Sequence, residues 1–246
     1  VLSMIGEKKE NLNEIKNFLP KTIKTNFIFK EDSPTIVKKR YIDDISQNKL
    51  MGIYNINDEI LRKKDELIFY KMLKKELKKN DLVIVSDYGH GLIDSKIADY
   101  ICKNAKFLAV NAQINAANRG YHSLTNYRKK NNLIIVNENE LRHEMRDSRS
   151  DIKILMKKFS KMNNFKDLII TRGSMGAILY NRNSKKFFTS EAFAKKIVDK
   201  IGSGDSMLAL SSISLASGLD KNLSLFFGSL AAAQSVESIG NSVATD

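Results

Sequence analysis

Residues 81–110 read DLVIVSDYGHGLIDSKIADYICKNAKFLAV. Two runs of consecutive apolar residues, Leu82–Val85 and Phe107–Val110, flank an amphipathic stretch from Asp94 to Lys103. A continuous apolar run is typical of a strand buried on both faces, and such strands belong to parallel sheets covered by helices. The segment therefore predicts a strand–helix–strand unit.

The same alternation continues towards the C-terminus. Further strands are predicted at 133–136 and 168–171, a hairpin at 177–180 and 186–188, and helices at 152–162, 203–217 and 221–237. The pattern predicts an α/β fold with a doubly wound parallel sheet. In such sheets, ligands bind at the carboxyl ends of the strands.

The first 55 residues have a different pattern. Short strand-like runs at 26–30, 35–42 and 49–54 are separated by turn residues, and a charged amphipathic helix is predicted from Asp58 to Lys79. We therefore expect a small β lid over about residues 1–55 and an α/β core over 56–246.

The composition excludes several classes of protein. The chain has 246 residues, 42% of them hydrophobic, so it can bury a sizeable core. The single cysteine, Cys102, excludes an intramolecular disulfide and a cysteine-based zinc site. The longest mostly apolar stretch, 207–219, is too short to span a bilayer, and the first residues lack a signal-peptide pattern. We expect a cytoplasmic protein with no membrane partner.

The net charge of +13 raises the alternative of a nucleic-acid binder. Only nine of the 41 basic residues are Arg, however, and the Lys residues are scattered along the chain. Arg is the residue that favours base reading and bidentate phosphate contacts. We therefore predict a solvated basic surface without a nucleic-acid partner; a field that attracts anionic small molecules remains an alternative.

The motif that points most directly to chemistry is DKIGSGD, from Asp199 to Asp205, followed by an apolar helix. Small residues allow a tight turn, and the N–H groups of a helix N-terminus bind anions. A carboxylate beside such an anion site can take a proton from a hydroxyl that attacks a phosphoryl group. The alternative is an ordinary loop in which Asp205 caps the helix.

This motif resembles the C-terminal signature of the PfkB, or ribokinase-like, carbohydrate kinases, but Lys200 replaces the Thr and Ser203 replaces the Ala of the family's usual form. Three further segments match family motifs in the right order: Ser86–Gly91, Asn137–Glu140 and Thr171–Gly176. The first of these and the segment Pro34–Arg40 are most similar to D-glycero-D-manno-heptose 7-phosphate kinases. The chain departs from those kinases at 111–113 (Asn-Ala-Gln) and at His90, and it has Ser229 where ribokinase has a nucleotide-contacting Asn.

The resemblance implies a role for each matching residue. Asp205 would be the catalytic base, and Gly202, Ser203 and Gly204 would supply N–H groups to the γ-phosphate. Thr171, Gly173 and Gly176 would line the nucleotide, and Asn137 and Glu140 would act near its phosphates and Mg²⁺, Glu140 through water. Asp199 and Ile201 would hold a monovalent cation. The alternatives are a helix cap for Asn137 and Glu140, and a plain loop between strands for residues 171–176.

The activity implied is an ATP-dependent kinase of a sugar or sugar phosphate, with a heptose 7-phosphate as the specific candidate. Its cofactors would be ATP and Mg²⁺, with K⁺ as an activator. Alternatives are a nucleoside or hexose-phosphate kinase of the same fold, and a non-catalytic nucleotide-binding module of a larger assembly. The resemblance also allows a homodimer through the β lid and a fused nucleotidyltransferase domain.

The family normally opens with a strand and a glycine-rich sugar-binding segment that have no counterpart before Val1. We therefore expect residues 1–246 to be a ribokinase-like kinase domain without its N-terminal part, and we expect this chain alone to phosphorylate poorly.

Overall fold

The computed structural model describes residues 1–43, 49–113, 124–127, 131–199 and 201–237. The chain divides into two compact units. One unit comprises Val1–Lys79 and Gly89–Ile97, and the other comprises Asn80–Tyr88 and Ala98–Asp246.

The first unit contains two small sheets and two helices. Its elements are β1 (Leu2–Gly6), α1 (Leu12–Phe18), β2 (Asn26–Lys30), β3 (Val37–Ile42), β4 (Lys49–Asn55) and α2 (Lys63–Leu77). Strand β1 pairs with β2 in parallel, and β3 pairs with β4 in antiparallel orientation. The three strands expected in this region are confirmed. A lid function for residues 1–55 stays a prediction.

The start of α2 corrects the helix predicted from Asp58. The Nζ of Lys30 donates hydrogen bonds to the carbonyls of Asn57 (2.7 Å) and Glu59 (2.5 Å), and the Leu61 N–H bonds to the carbonyl of Gly91 (3.2 Å). Because these backbone groups bind tertiary partners, they are not available to a helical ladder. The helix consequently begins only at Lys63.

The second unit is built on a six-stranded sheet in the order β10-β9-β8-β7-β6-β5. Strands β5 to β8 are parallel, and β9 and β10 form the predicted antiparallel hairpin at one edge. The strands are β5 (Leu82–Asp87), β6 (Phe107–Ala112), β7 (Asn131–Asn137), β8 (Phe165–Thr171), β9 (Ala177–Asn181) and β10 (Lys186–Ser190). The helices of the chain from β5 onward are α3 (Ser95–Asn104), α4 (Glu138–Met145), α5 (Ile152–Met162), α6 (Ser203–Ala216) and α7 (Lys221–Val236). The predicted α/β class is confirmed.

Both faces of this sheet are buried. On one face, alternate strand residues such as Leu133, Ile135 and Ile169 form a core cluster with Met207 and Leu208 of α6. The intervening residues of the same strands point to the opposite face and are also buried, namely Leu108, Val110, Ile134, Val136, Leu168 and Ile170. This double burial explains why the strands are continuously apolar.

Helices α6 and α7 pack closely because the interface is lined by small residues. A Cβ at Gly228 of α7 would lie 2.0 Å from the Ser211 hydroxyl of α6, so only glycine fits there. The packing sets the position of α6, whose first turn carries the last three residues of the DKIGSGD motif. Within the described part of the chain, no helix has the length and apolar character needed to cross a membrane.

Candidate active site

Asp205 lies in the first turn of α6, close to the carboxyl end of β5. Its Oδ1 accepts a hydrogen bond from the Ser86 hydroxyl and its Oδ2 accepts one from the Tyr88 hydroxyl, both at 3.3 Å. Gly202 is the N-cap residue, and Asp205 is the third residue of the helix. The hypothesis that Asp205 is the helix cap is therefore wrong. Its carboxylate instead accepts from the hydroxyl groups of two residues that lie 119 and 117 positions earlier in the chain.

The turn before Asp205 exposes backbone to an incoming ligand. Gly202 adopts φ 86°, which favours glycine, and lets the chain enter α6. A Cβ on Gly204 would meet no atom within 4 Å, so the space in front of this backbone is open. The N–H groups of a first helical turn have no partner within the helix, and the helix dipole is positive there. The turn has the properties of an anion site.

Asn137 and Glu140 form a reciprocal capping box at the start of α4. The Asn137 side chain accepts from the Glu140 N–H, and the Glu140 carboxylate accepts from the Asn137 N–H, each at 2.8 Å. The helix-cap alternative is thus confirmed as a structural role. Burial raises the pKa of Glu140 to about 7 although the hydrogen bond from Asn137 opposes the shift.

The Thr171–Gly176 segment forms a tight loop after β8. Thr171 pairs in register with Asn137 of β7 and with Ala177 of β9. Gly173 has φ 57° and open space where a Cβ would stand, whereas a Cβ on Gly176 would lie 2.0 Å from the Ser190 carbonyl. The loop is therefore packed against β10 at one end and open at the other.

Asp199 and Ile201 lie in a turn held by α7. The Asp199 carboxylate accepts from the Ile201 N–H (3.0 Å), and the backbone N–H groups of Val198 and Asp199 both bond to the Val236 carbonyl. These hydrogen bonds hold the turn, which directly precedes α6 in the chain, against the C-terminal end of α7. The monovalent-cation site expected at these two residues stays a prediction.

No cluster of three His, Cys, Asp or Glu able to hold a metal occurs in the described residues. Mg²⁺ commonly keeps several waters and binds through one carboxylate plus substrate phosphates. Glu140 is a single carboxylate of the kind this mode needs, and the backbone at Gly173 and Gly204 has open space beside it.

Ser86 and Tyr88 are the site residues to which sequence reasoning assigned no role. Their segment matches a family motif, but nothing in the sequence indicates that its hydroxyl groups donate hydrogen bonds to Asp205. Asp87 between them is buried and accepts a hydrogen bond from the Tyr127 hydroxyl (2.6 Å). Burial, followed by the Asp87 charge, raises the pKa of Tyr127 well above its usual value.

Three other residues noted in the sequence have mainly structural surroundings. His90 is buried and pairs through Nδ1 with Asp58 (2.6 Å). Asn111 is also buried and donates to the Ile135 carbonyl (2.8 Å). Ser229 is buried in α7, and its hydroxyl has no hydrogen-bond partner in the described part of the chain.

Comparison with known proteins settles the family. A model described as pfkB family carbohydrate kinase matches residues 2–246. The chain belongs to this family. The resemblance drawn from the four motifs is therefore confirmed.

Curated relatives in the comparison carry the name bifunctional protein HldE. The protein of Aliarcobacter butzleri is 26% identical over 263 residues, which cover 100% of this chain and 50% of the relative. The protein of Koribacter versatilis is 25% identical over 238 residues, covering 94% of this chain and 47% of the relative. The chain thus spans about half the length of these relatives.

Solved structures of two kinases share the fold. Ribokinase from Giardia lamblia superposes with a TM-score of 0.75 at 18% identity, covering 97% of this chain and 78% of that chain. Phosphofructokinase-2 from Escherichia coli in complex with potassium has a TM-score of 0.73 at 13% identity, covering 97% and 76%. The predicted ribokinase-like fold is confirmed.

Proposed function

We propose that the protein transfers the γ-phosphoryl group of ATP to a hydroxyl of a sugar or sugar phosphate. The observation that carries this proposal is the carboxylate of Asp205, which lies in the first turn of α6 and faces hydroxyl groups at the carboxyl end of β5. A base next to a helix N-terminus is the arrangement that hydroxyl-to-phosphate transfer needs. Membership of the carbohydrate kinase family supports the same reaction.

The proposed step assigns one task to each part of the site. Asp205 accepts the proton of the substrate hydroxyl as its oxygen forms a bond to the γ-phosphorus. The bond from that phosphorus to the bridging oxygen breaks, and ADP leaves with the electron pair. The N–H groups of Gly202, Ser203 and Gly204 stabilise the charge on the transferring group. Positioning and charge stabilisation supply most of the rate in such reactions.

The cofactors follow from the charge of the triphosphate. Thr171, Gly173 and Gly176 would line the nucleotide, Asn137 would act near its phosphates, and Glu140 would hold Mg²⁺ through water. Mg²⁺ supplies charge neutralisation when bound. Asp199 and the Ile201 carbonyl would bind K⁺, and the positive charge of Lys200, which stands between them in the sequence, argues against this.

A heptose 7-phosphate is the specific acceptor that we propose. The support is the similarity of two segments, Pro34–Arg40 and Ser86–Gly91, to heptose 7-phosphate kinases, together with the HldE relatives. The test is ADP release by the whole protein with Mg²⁺-ATP and a panel of heptose phosphates, hexose phosphates, free sugars and nucleosides. Turnover restricted to heptose 7-phosphate supports the proposal, and turnover restricted to another class reassigns the acceptor. ATP binding without turnover on any acceptor would favour a non-catalytic nucleotide-binding module.

Two proposals concern partners. The whole protein would carry a nucleotidyltransferase domain in addition to the kinase region, since the relatives are named as bifunctional and are about twice as long.

The chain would also form a homodimer through the β3–β4 hairpin, where three apolar side chains on one face are about half exposed: Tyr41 (48%), Met51 (51%) and Ile53 (50%).

A further inference from the structure

An ion pair links two of the motifs that surround the proposed nucleotide site. The Nε of Arg172, the second residue of the Thr171–Gly176 loop, donates to Oε2 of Glu138 at 2.7 Å. Glu138 is the first residue of α4 and lies inside the Asn137–Glu140 motif. Both side chains are mostly buried, with 23% of Arg172 and 17% of Glu138 exposed. Because the effective dielectric constant falls with burial, the attraction within such a pair is stronger than within a surface pair.

The pair extends a contact that the sheet already makes. Asn137 and Thr171 are register partners at the ends of β7 and β8, and Glu138 and Arg172 are the residues that directly follow these two strands. Beyond this point the sheet hydrogen bonds stop, so the two motifs would otherwise diverge into a helix and a loop. The ion pair is a side-chain contact that holds the two motifs together beyond the sheet.

Arg172 also closes its own loop. Its N–H donates to the Gly176 carbonyl (2.8 Å), and its carbonyl accepts from the Met175 N–H (3.2 Å). Inside the closed loop, Gly173 presents backbone to open space. Fixing the Arg172 side chain to α4 therefore fixes the orientation of the backbone at Gly173.

A second arginine shares the same carboxylate but belongs to no nucleotide motif. The Nε and Nη2 of Arg142, one turn along α4, donate to Oε1 of Glu138 at 2.9 and 2.7 Å. Burial alone would raise the pKa of Glu138, but the hydrogen bonds from Arg172 and Arg142 hold this pKa below its ordinary value. The two oxygens of the carboxylate thus accept hydrogen bonds from different arginines.

We propose that Glu138 is a positioning residue for nucleotide binding: by holding Arg172, it fixes the Thr171–Gly176 loop at the distance from Asn137 and Glu140 that ATP requires. This inference rests on the proposed kinase function, since it assumes that the two motifs meet the same nucleotide. It assigns Glu138 no contact with substrate and no part in proton transfer.

The direction in which one substitution changes the affinity for Mg²⁺-ATP distinguishes a positioning role from a purely electrostatic one. Glu138→Gln removes a negative charge beside two arginines. If charge alone mattered, the site would become more positive, and Mg²⁺-ATP would bind more tightly. If Glu138 positions the loop, the released Arg172 loosens it, and ATP binds more weakly. We expect the second result, with Kd and KM for ATP raised by about tenfold, within the range that misplaced binding groups produce.

The experiment compares three variants of the whole protein: Glu138→Gln, Arg172→Lys and Arg142→Lys as the matched control. Binding of Mg²⁺-ATP is measured by calorimetry, kinetics by ADP release, and loop order by amide hydrogen exchange of residues 172–176 without nucleotide. We expect Glu138→Gln to raise Kd and KM for ATP and to speed exchange in the loop, with kcat changed by less than about threefold. Arg172→Lys keeps one charged donor and should show a smaller effect in the same direction. Arg142→Lys should leave ATP binding and loop exchange unchanged while lowering the melting temperature.

The outcomes distinguish this inference from the proposed function. Tighter or unchanged ATP binding by a folded Glu138→Gln variant would overturn the positioning role and leave the kinase proposal intact. Equal losses of ATP affinity in Glu138→Gln and Arg142→Lys would also overturn it, because they would indicate general destabilisation of α4. Failure of the unmutated whole protein to bind Mg²⁺-ATP would remove the proposed function itself.

Discussion

Two glycines in the Thr171–Gly176 loop have different reasons to be glycine. Gly176 has φ 75° and backbone of β10 directly against it, whereas Gly173 has φ 57° and open space. Gly176→Ala should lower the free energy of unfolding by roughly 3 kcal/mol or more, since strain and a steric clash add. Gly173→Ala should cost only about 1 kcal/mol. Urea unfolding of both variants measures the difference.

The same two variants also test whether the Thr171–Gly176 loop binds the nucleotide. A Cβ at Gly173 enters the space that the proposed nucleotide approaches, so Gly173→Ala should weaken Mg²⁺-ATP binding although the protein remains folded. Equal stability losses in the two variants would contradict the packed position of Gly176 and the open position of Gly173. Full ATP affinity in Gly173→Ala would contradict a nucleotide site beside Gly173.

Glu140 should make stability depend on pH. Its pKa is raised to about 7, so between about pH 4.5 and 7 the folded state binds a proton that the unfolded state has released. The stability contribution of this group therefore falls as pH rises through that window, and it stays low above pH 7. Glu140→Gln cannot ionise, yet its side-chain oxygen can still accept from the Asn137 N–H. The stability of this variant relative to the unmutated protein should thus increase from pH 5 to pH 8.

Thermal unfolding of both proteins at the two pH values gives this difference directly. Other titrating groups are common to both and cancel in the comparison. A stability difference that is the same at pH 5 and pH 8 would show that the carboxyl group is not desolvated in the folded protein.

Residue roles could be predicted only where they are encoded in local spacing. The Asn137–Glu140 cap follows from a three-residue spacing at a helix start, and sequence reasoning kept it as an alternative. The contacts of Ser86 and Tyr88 with Asp205 join segments more than 100 residues apart, and they depend on the order of strands in the sheet. The Glu138–Arg172 pair likewise depends on β7 and β8 being neighbours.

At the scale of elements, α7 is tied to the sheet by a buried ion pair. The Nζ of Lys221 donates to Oδ2 of Asp167 on β8 at 2.6 Å, and the carboxylate is only 1% exposed. Its other oxygen accepts from the Asn181 side chain on β9 (2.6 Å). Lys221→Met should destabilise the protein by about 3 kcal/mol, because it leaves a buried carboxylate without its counter-ion.

The double variant Lys221→Met, Asp167→Asn serves as the control, because it removes the uncompensated charge. Urea unfolding should show that it is more stable than Lys221→Met alone. A double variant that is less stable than the single variant would mean that Asp167 contributes through its hydrogen bonds rather than through its charge.

Elements with a buried apolar stripe were predictable, and those without one were not. Helix α5 was expected at 152–162 and is observed as Ile152–Met162, with an apolar face that is buried. Helix α1 has Leu12 and Ile15 at helical spacing, but it is only seven residues long and buries none of them fully, so its periodicity is too short to identify a helix. The late start of α2 depends on Lys30, which lies more than 25 residues earlier and takes up the carbonyls of its predicted first turn.

At the scale of the whole molecule, the β3–β4 hairpin tests the proposed dimer. Tyr41 and Met51 are register partners, and Ile53 lies on the same face two residues further along β4. The opposite face of β4 also exposes Leu50 and Tyr54, and exposed apolar side chains grouped on a two-stranded sheet are typical of an interaction surface. Met51→Lys should convert a dimer to a monomer in sedimentation experiments, with little change in the helical circular dichroism. A chain that is already monomeric without the mutation at micromolar concentration would rule out this interface.

The central claim for the whole molecule is that Asp205 is a base and not a structural carboxylate. Asp205→Asn keeps the shape of the side chain and can still bond to Ser86 or Tyr88, but it cannot accept the substrate proton. Asp220 offers a matched control, because it lies at the N-terminus of α7 and caps that helix through its side chain. Asp220→Asn preserves a good cap and should leave kinetics unchanged.

The measurement is kcat beside ATP affinity for these two variants of the whole protein. For Asp205→Asn we expect kcat to fall by about 10² to 10⁴-fold, the usual contribution of a general base. Its affinity for ATP should stay the same or rise slightly as repulsion of the γ-phosphate is lost. A kcat close to that of the unmutated protein, matching the Asp220→Asn control, would contradict the proposed mechanism.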